Sequence, residues 1–203
     1  MLRLIEKDIR FNWKWALLPA VVPVAVPFAV WLDRGERRVI LWVYIIGSVL
    51  ANMHLVAKSC YLDDGAQTRR FLASLPVRRD DIVLSKYALG LLCGAVSIGL
   101  SSLACLALGL HPSVRGVLIA SICLLLYYAV FLGVYFRTNY SGAERANTAL
   151  MMLTVMAAFV IDRGGADLDA MAIDPAALAA GVGACALAFA ASAALSVRHL
   201  RRS

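Results

Sequence analysis

The chain has 203 residues, 62% of them hydrophobic, and 20 Lys and Arg against 13 Asp and Glu give it a net charge of +7. An apolar share this far above the roughly 45–50% of soluble domains excludes a soluble globular fold and implies an integral membrane protein. The chain contains no phosphate loop, HExxH, GxSxG or paired intramembrane carboxylate, so nucleotide hydrolysis, proteolysis, esterase chemistry and proton relay are not expected of it, and the reading is that it is not an enzyme.

In chain order, residues 1–12 place Leu2, Ile5, Ile9 and Asn12 on one helical face and Arg3, Glu6, Lys7 and Arg10 mostly opposite, the pattern of an interfacial amphipathic helix. Trp13 and Trp15 follow at a headgroup-like boundary. Stretches of about 20 apolar residues suffice to cross a bilayer, and six candidates are predicted, at 13–32, 39–57, 87–110, 114–136, 146–161 and 175–197. The first is read as a retained span, because mixed charge precedes it and no small-residue cleavage site follows. It carries Pro19, Pro23 and Pro27, which predicts a kinked helix whose freed carbonyls must be covered by protein or water.

The second span sets Ser48, Asn52 and Ser59 on one stripe and His54 with Lys58 on another. Ser48, Asn52 and His54 are candidates for a translocation path, since polar groups inside a membrane are costly, although Asn52 and His54 cannot face one pore together. Gly90, Gly94, Ser97, Ser101 and Cys105 give the third span a small-residue face suited to close helix packing, within the subunit or between subunits. Tyr127, Tyr128, Tyr135 and Phe136 read as interface anchors at the inner end of the fourth. RTNYSGAERAN is a second cytoplasmic loop with Gly142 as its break. The final span is rich in Ala, with Gly181 and Gly183, and RHLRRS is a basic anchor. Cys60, Cys93, Cys105, Cys123 and Cys185 show no metal or disulfide spacing, and no cofactor or metal is expected in this chain.

The longest hydrophilic interruption runs from Cys60 to Tyr87. Asp63 or Asp64 can cap a short helix over 65–75, Pro76 ends it, and Asp80 or Asp81 starts a second helix running into the third span. Between the basic pairs Arg69/Arg70 and Arg78/Arg79 lies an apolar patch, Phe71, Leu72, Leu75, Pro76 and Val77, which a mere connector would not need. With the N-terminus inside, only Arg34, Arg37, Arg38, Arg115 and Arg163 among the basic side chains fall outside, so both termini and this loop are assigned to the cytoplasm. The charge therefore reflects topology and anionic lipid, with no case for nucleic acid.

The run FLASLPVRRDDIVLSKY, preceded by Asp63/Asp64, resembles the signature LL-x-SLP-V-x-R-x-x-IV-x-SKY of the small ABC-2-type transporter permeases, the group that includes the phenol-soluble modulin exporter permeases. The resemblance implies a single transmembrane domain over 1–203: all-α, polytopic, with six transmembrane helices, an interfacial helix at 1–12 and a cytoplasmic coupling helix in the 58–86 loop between spans 2 and 3. It implies a permease subunit of an exporter in the bacterial cytoplasmic membrane, dimeric with a second copy or a sister permease. A separate ATP-binding subunit would hold ATP and Mg and meet this chain through Asp63, Asp64, Arg70, Phe71, Leu72, Leu75, Pro76, Arg78 and Arg79. The alternative is a non-transporting scaffold that docks a cytoplasmic partner through the same loop.

Overall fold

A computed structural model describes residues 2–32, 44–65, 68, 78–163 and 174–202, and all regular structure among these residues is helical. The helices are α1 (Leu2–Phe11), α2 (Trp13–Ala16), α3 (Leu18–Leu32), a π-helical segment (Ile45–Leu50) continuing into α4 (Ala51–Asp63), α5 (Arg79–Ala107), α6 (Val114–Arg137), α7 (Tyr140–Arg163) and α8 (Pro175–Arg202).

Local chemistry sets the ends. Gly109 at φ 72 closes α5, with Leu110 N–H donating to the Cys105 carbonyl at 2.8 Å, the arrangement in which glycine takes the left-handed position after a helix. Ser113 Oγ accepts from Gly116 N–H at 3.1 Å and Asn139 Oδ1 from Gly142 N–H at 3.0 Å, each satisfying an open first-turn donor. Gly142 is consequently not a break. It lies inside α7, where a Cβ would come within 2.4 Å of Thr138 Oγ1. Arg78, in extended conformation, precedes α5 without a side-chain cap, so Asp80 and Asp81 fall in the first turn rather than at the cap.

Among the described residues, four helical stretches are long and apolar enough to cross a membrane: Trp13–Leu32, Asp80–Ala107, Val114–Arg137 and Pro175–Arg201. The predicted spans at 39–57 and 146–161 are not among them. The start of the former lies outside the described residues, and α7 mixes Glu144, Arg145, Asn147 and Thr148 into its first half.

Burial is inverted relative to a soluble protein. Val21, Leu92, Leu103, Leu106, Leu153 and Leu187 are exposed, whereas Asp8, Asn52, Ser97, Ser101 and Lys86 are buried. Lipid asks for the first, and helix-to-helix hydrogen bonding stabilises the second. The apolar core joins Tyr44, Met53, Tyr127, Tyr128 and Phe131. Tyr127 and Tyr128 are thus core residues and not interface anchors. Tyr127 Oη donates to the Met53 carbonyl at 3.1 Å or to Asn147 Oδ1 at 2.9 Å, and a Cβ on Gly90 would meet the Tyr128 ring at 3.2 Å. The small-residue face of α5 is used within this subunit.

Candidate functional site

The segment between α4 and α5 is mounted on buried charge. Asp63, the last residue of α4, lies 2.8 Å from Lys7 Nζ of α1 and 2.5 Å from Lys86 Nζ of α5. Lys86 Nζ also meets Asp8 Oδ2 at 2.7 Å and Ser59 Oγ at 2.6 Å, and Lys7 reaches Asp8 at 3.1 Å. Lys86 is 2% exposed, Asp8 3% and Asp63 7%. Two lysines and two aspartates neutralise one another, which is how ions of this burial avoid an uncompensated desolvation cost. Burial disfavours the Asp63 carboxylate, yet Lys86 and Lys7 outweigh it and hold its carboxyl below the ordinary range.

The helices bring these groups together by periodicity. Leu4 and Asp8 form the buried stripe of α1, continued one turn on by Asn12 just beyond its end, while Ile9 is left exposed on the side expected to meet lipid. Asp63 and Asp64 stand at the end of α4, and the helix over 65–75 that they are expected to cap lies largely outside the described residues. Asp64 is the C-cap residue, and its Oδ2 accepts weakly from Tyr140 N–H of α7 at 3.4 Å. On the far stem, Asp80 accepts from Arg201 Nε of α8 at 2.9 Å, completed by Arg201 Nη2. The two stems are thus tied to α1, to the start of α7 and to the end of α8.

Deeper, a polar seam joins α3, the π segment, α4 and α5. Proline at 23 and 27 removes the N–H groups that would bond the carbonyls of residues 19 and 23. Ser97 Oγ donates to the Pro19 carbonyl at 2.8 Å and Ser101 Oγ to the Pro23 carbonyl at 3.3 Å. Pro19 frees no carbonyl in α3, because it sits in the first turn, where its N–H would have been open anyway. Asn52 Nδ2 donates to Ser97 Oγ at 2.8 Å and to the Ser48 carbonyl at 2.7 Å. Ser48 Oγ lies 3.3 Å from Ser101 Oγ, and because the Ser101 proton is committed to Pro23, Ser48 is the donor. Asn52 Oδ1 has no partner among the described residues. A Cβ on Gly47 would lie 3.4 Å from Pro23 Cα, so glycine allows the π segment this close to the proline helix.

Of the translocation-path candidates, Ser48 and Asn52 are joined in this closed seam, and His54 faces away, exposed, its ring 4.7 Å from that of Trp15. Of the ATPase-interface candidates, Arg78 is exposed. Arg70, Phe71, Leu72, Leu75 and Pro76 lie outside the described residues, as does the predicted helix over 65–75 apart from Thr68, and the Arg79 side chain is also outside them. Asp8, Lys7 and Arg201 are the structural partners that sequence reasoning did not single out. The cysteines are all free, and no group of metal-ligating side chains occurs among the described residues.

Comparison with curated proteins and with solved structures gives no match. A family model described as ABC-2 family transporter protein matches residues 3–200, which takes in the amphipathic helix, the charged stems, the polar seam and the last apolar helix alike. Apolar helices of spanning length and this match over nearly the whole chain establish a membrane transport component that is not itself catalytic, and the chain belongs to the ABC-2 transporter family.

Proposed function

We propose that this chain is the permease subunit of an ABC exporter, crossing the cytoplasmic membrane six times with both termini inside and forming its path as a dimer. A separate ATP-binding subunit supplies the energy by docking on the segment that joins α4 to α5. The observation that best supports this is the mounting of that segment, whose first stem carries Asp63 in a buried cluster with Lys7, Asp8 and Lys86. A loop that only connected two spans would not require its stem to be fixed by buried ions. Breaking such a pair exposes an uncompensated charge, so the stem resists independent motion and displacement at the loop is passed to α1. From α1 it reaches α3 through the short α2, and α3 is the proline helix hydrogen-bonded to α5. With so little chain between spans for a capturing domain, the substrate is expected to come from the membrane or cytoplasm, as an amphipathic peptide or hydrophobic compound would.

The test is co-purification in detergent with a co-expressed phosphate-loop ATPase, sought first in the neighbouring reading frames. Replacing Phe71 and Leu75 with Asp should abolish association while membrane insertion persists; undiminished association would remove the coupling role. Arg79→Ala should weaken binding at least about tenfold if its guanidinium is buried on docking, whereas Arg78→Ala, starting from an exposed position, should cost under about fivefold and be largely erased by salt.

A further inference from the structure

Around the stems of the α4–α5 segment, Lys7 and Lys86 are matched to Asp8 and Asp63, Arg10 to Glu6 and Arg201 to Asp80. Lys58 is different. Its ammonium, partly buried, has no carboxylate partner among the described residues and sits 4.4 Å from the Tyr61 ring centroid and 5.9 Å from that of Trp15. On the same stripe of α4, at a spacing of four, His54 stands exposed with its ring 4.7 Å from Trp15. Lys14, next to Trp15 in the short helix that packs against α4, is likewise exposed and unpaired among the described residues.

We propose that Lys14, Trp15, His54, Lys58 and Tyr61 form a binding site for the phosphate headgroup of an anionic phospholipid. Aromatic faces hold Lys58 in place by cation–π attraction without consuming its charge, which leaves its N–H donors to a phosphate. The imidazole of His54 adds a further donor. Position argues for a lipid over a free phosphate: Trp13 and Leu17, 58% and 48% exposed, continue the patch into the apolar surface of α3, where acyl chains would lie. Basic pockets between helices on the cytoplasmic side have the chemistry that anionic headgroups require. The assignment does not depend on the ATPase partnership.

The experiment titrates the detergent-purified chain with phosphatidylglycerol, phosphatidylcholine or inorganic phosphate and reads apparent affinity from the concentration dependence of the unfolding midpoint. Wild type should bind phosphatidylglycerol more tightly than phosphatidylcholine. Lys58→Gln should weaken the phosphatidylglycerol affinity about fivefold, the effect expected of one basic residue at an anionic surface. Arg10→Gln, which alters a cation already paired with Glu6, should leave it unchanged. Equal affinity for the two lipids in wild type, an equal loss in Arg10→Gln, or the same midpoint shift from inorganic phosphate would each overturn the assignment. Should Lys58→Gln fail to fold, the double variant Lys14→Gln/His54→Gln is read by the same criteria.

Discussion

Lys86 draws on three helices at once: Asp8 from α1, Asp63 and Ser59 from α4, and its own backbone in α5. Lys86→Met would leave two buried aspartates with Lys7 as their only described cation, and removing one partner of a buried pair costs roughly 3–5 kcal/mol. A fall of that size in unfolding free energy in detergent is expected, with Arg201→Gln as a control that changes little, since the Asp80–Arg201 pair is solvent-exposed and salt-screened. The acid response has a defined sign. The Asp63 carboxyl titrates lower in the folded chain than in the unfolded one, so its contribution is complete above the unfolded value of about 3.9 and is lost as pH falls through the folded value. Between pH 5 and 8 this group should make stability flat, and Asp63→Asn should remove part of the acid decline; an unchanged acid limb would mean that the pairing is not kept in the membrane-extracted protein. Half of this cluster is legible in the chain, where Lys86 and Asp63 stand out as charges flanking an apolar span. Asp8 is not, because in a mixed-charge helix periodicity alone assigns charged residues to water.

At the scale of elements, the proline helix and the serine helix depend on each other. Their components are each visible in the sequence: prolines four apart, a small-residue face on α5, and Ser48 with Asn52 on one stripe. What the sequence does not carry is the register between them, since residues 78 apart in the chain are matched only by packing. Ser97→Ala should leave the Pro19 carbonyl unbonded and cost about 0.5–2 kcal/mol, the scale of a hydrogen bond between membrane helices. The telling measurement is the double variant. Pro23→Ala restores an N–H able to bond the Pro19 carbonyl within α3, so Ser97→Ala should cost measurably less in that background. Additive losses would show that the serine acts only through Asn52. The burial of Tyr127 and Tyr128 was illegible for the same reason, because an aromatic near a span end looks identical whether it faces headgroups or a neighbouring helix, as Tyr128 faces Gly90 and Gly94.

For the whole molecule, the proposed six crossings are argued from length, charge and contacts taken together. Among the described residues, four helical stretches are both long and apolar enough to span, and α7, with 24 residues, meets length while its first half is polar. An odd number of crossings would put the termini on opposite sides, yet α1 at one end and Arg201 of α8 at the other both hold stems of the α4–α5 segment. The proposed topology, with the two termini and that segment on one face of the membrane, accommodates those contacts. In that proposed topology α7 and the helical segment that begins at Tyr44 cross as well, with Asp63 beyond the inner end of the latter. Reporter fusions after Arg38, Ser113 and Asp169 should accordingly read outside, and those after Arg70 and Arg145 inside. The fusion after Asp169 decides the matter: an inside reading there would mean that α7 does not cross, and the Asp80–Arg201 contact could not then exist in the membrane, because α8 would end on the opposite face from the start of α5.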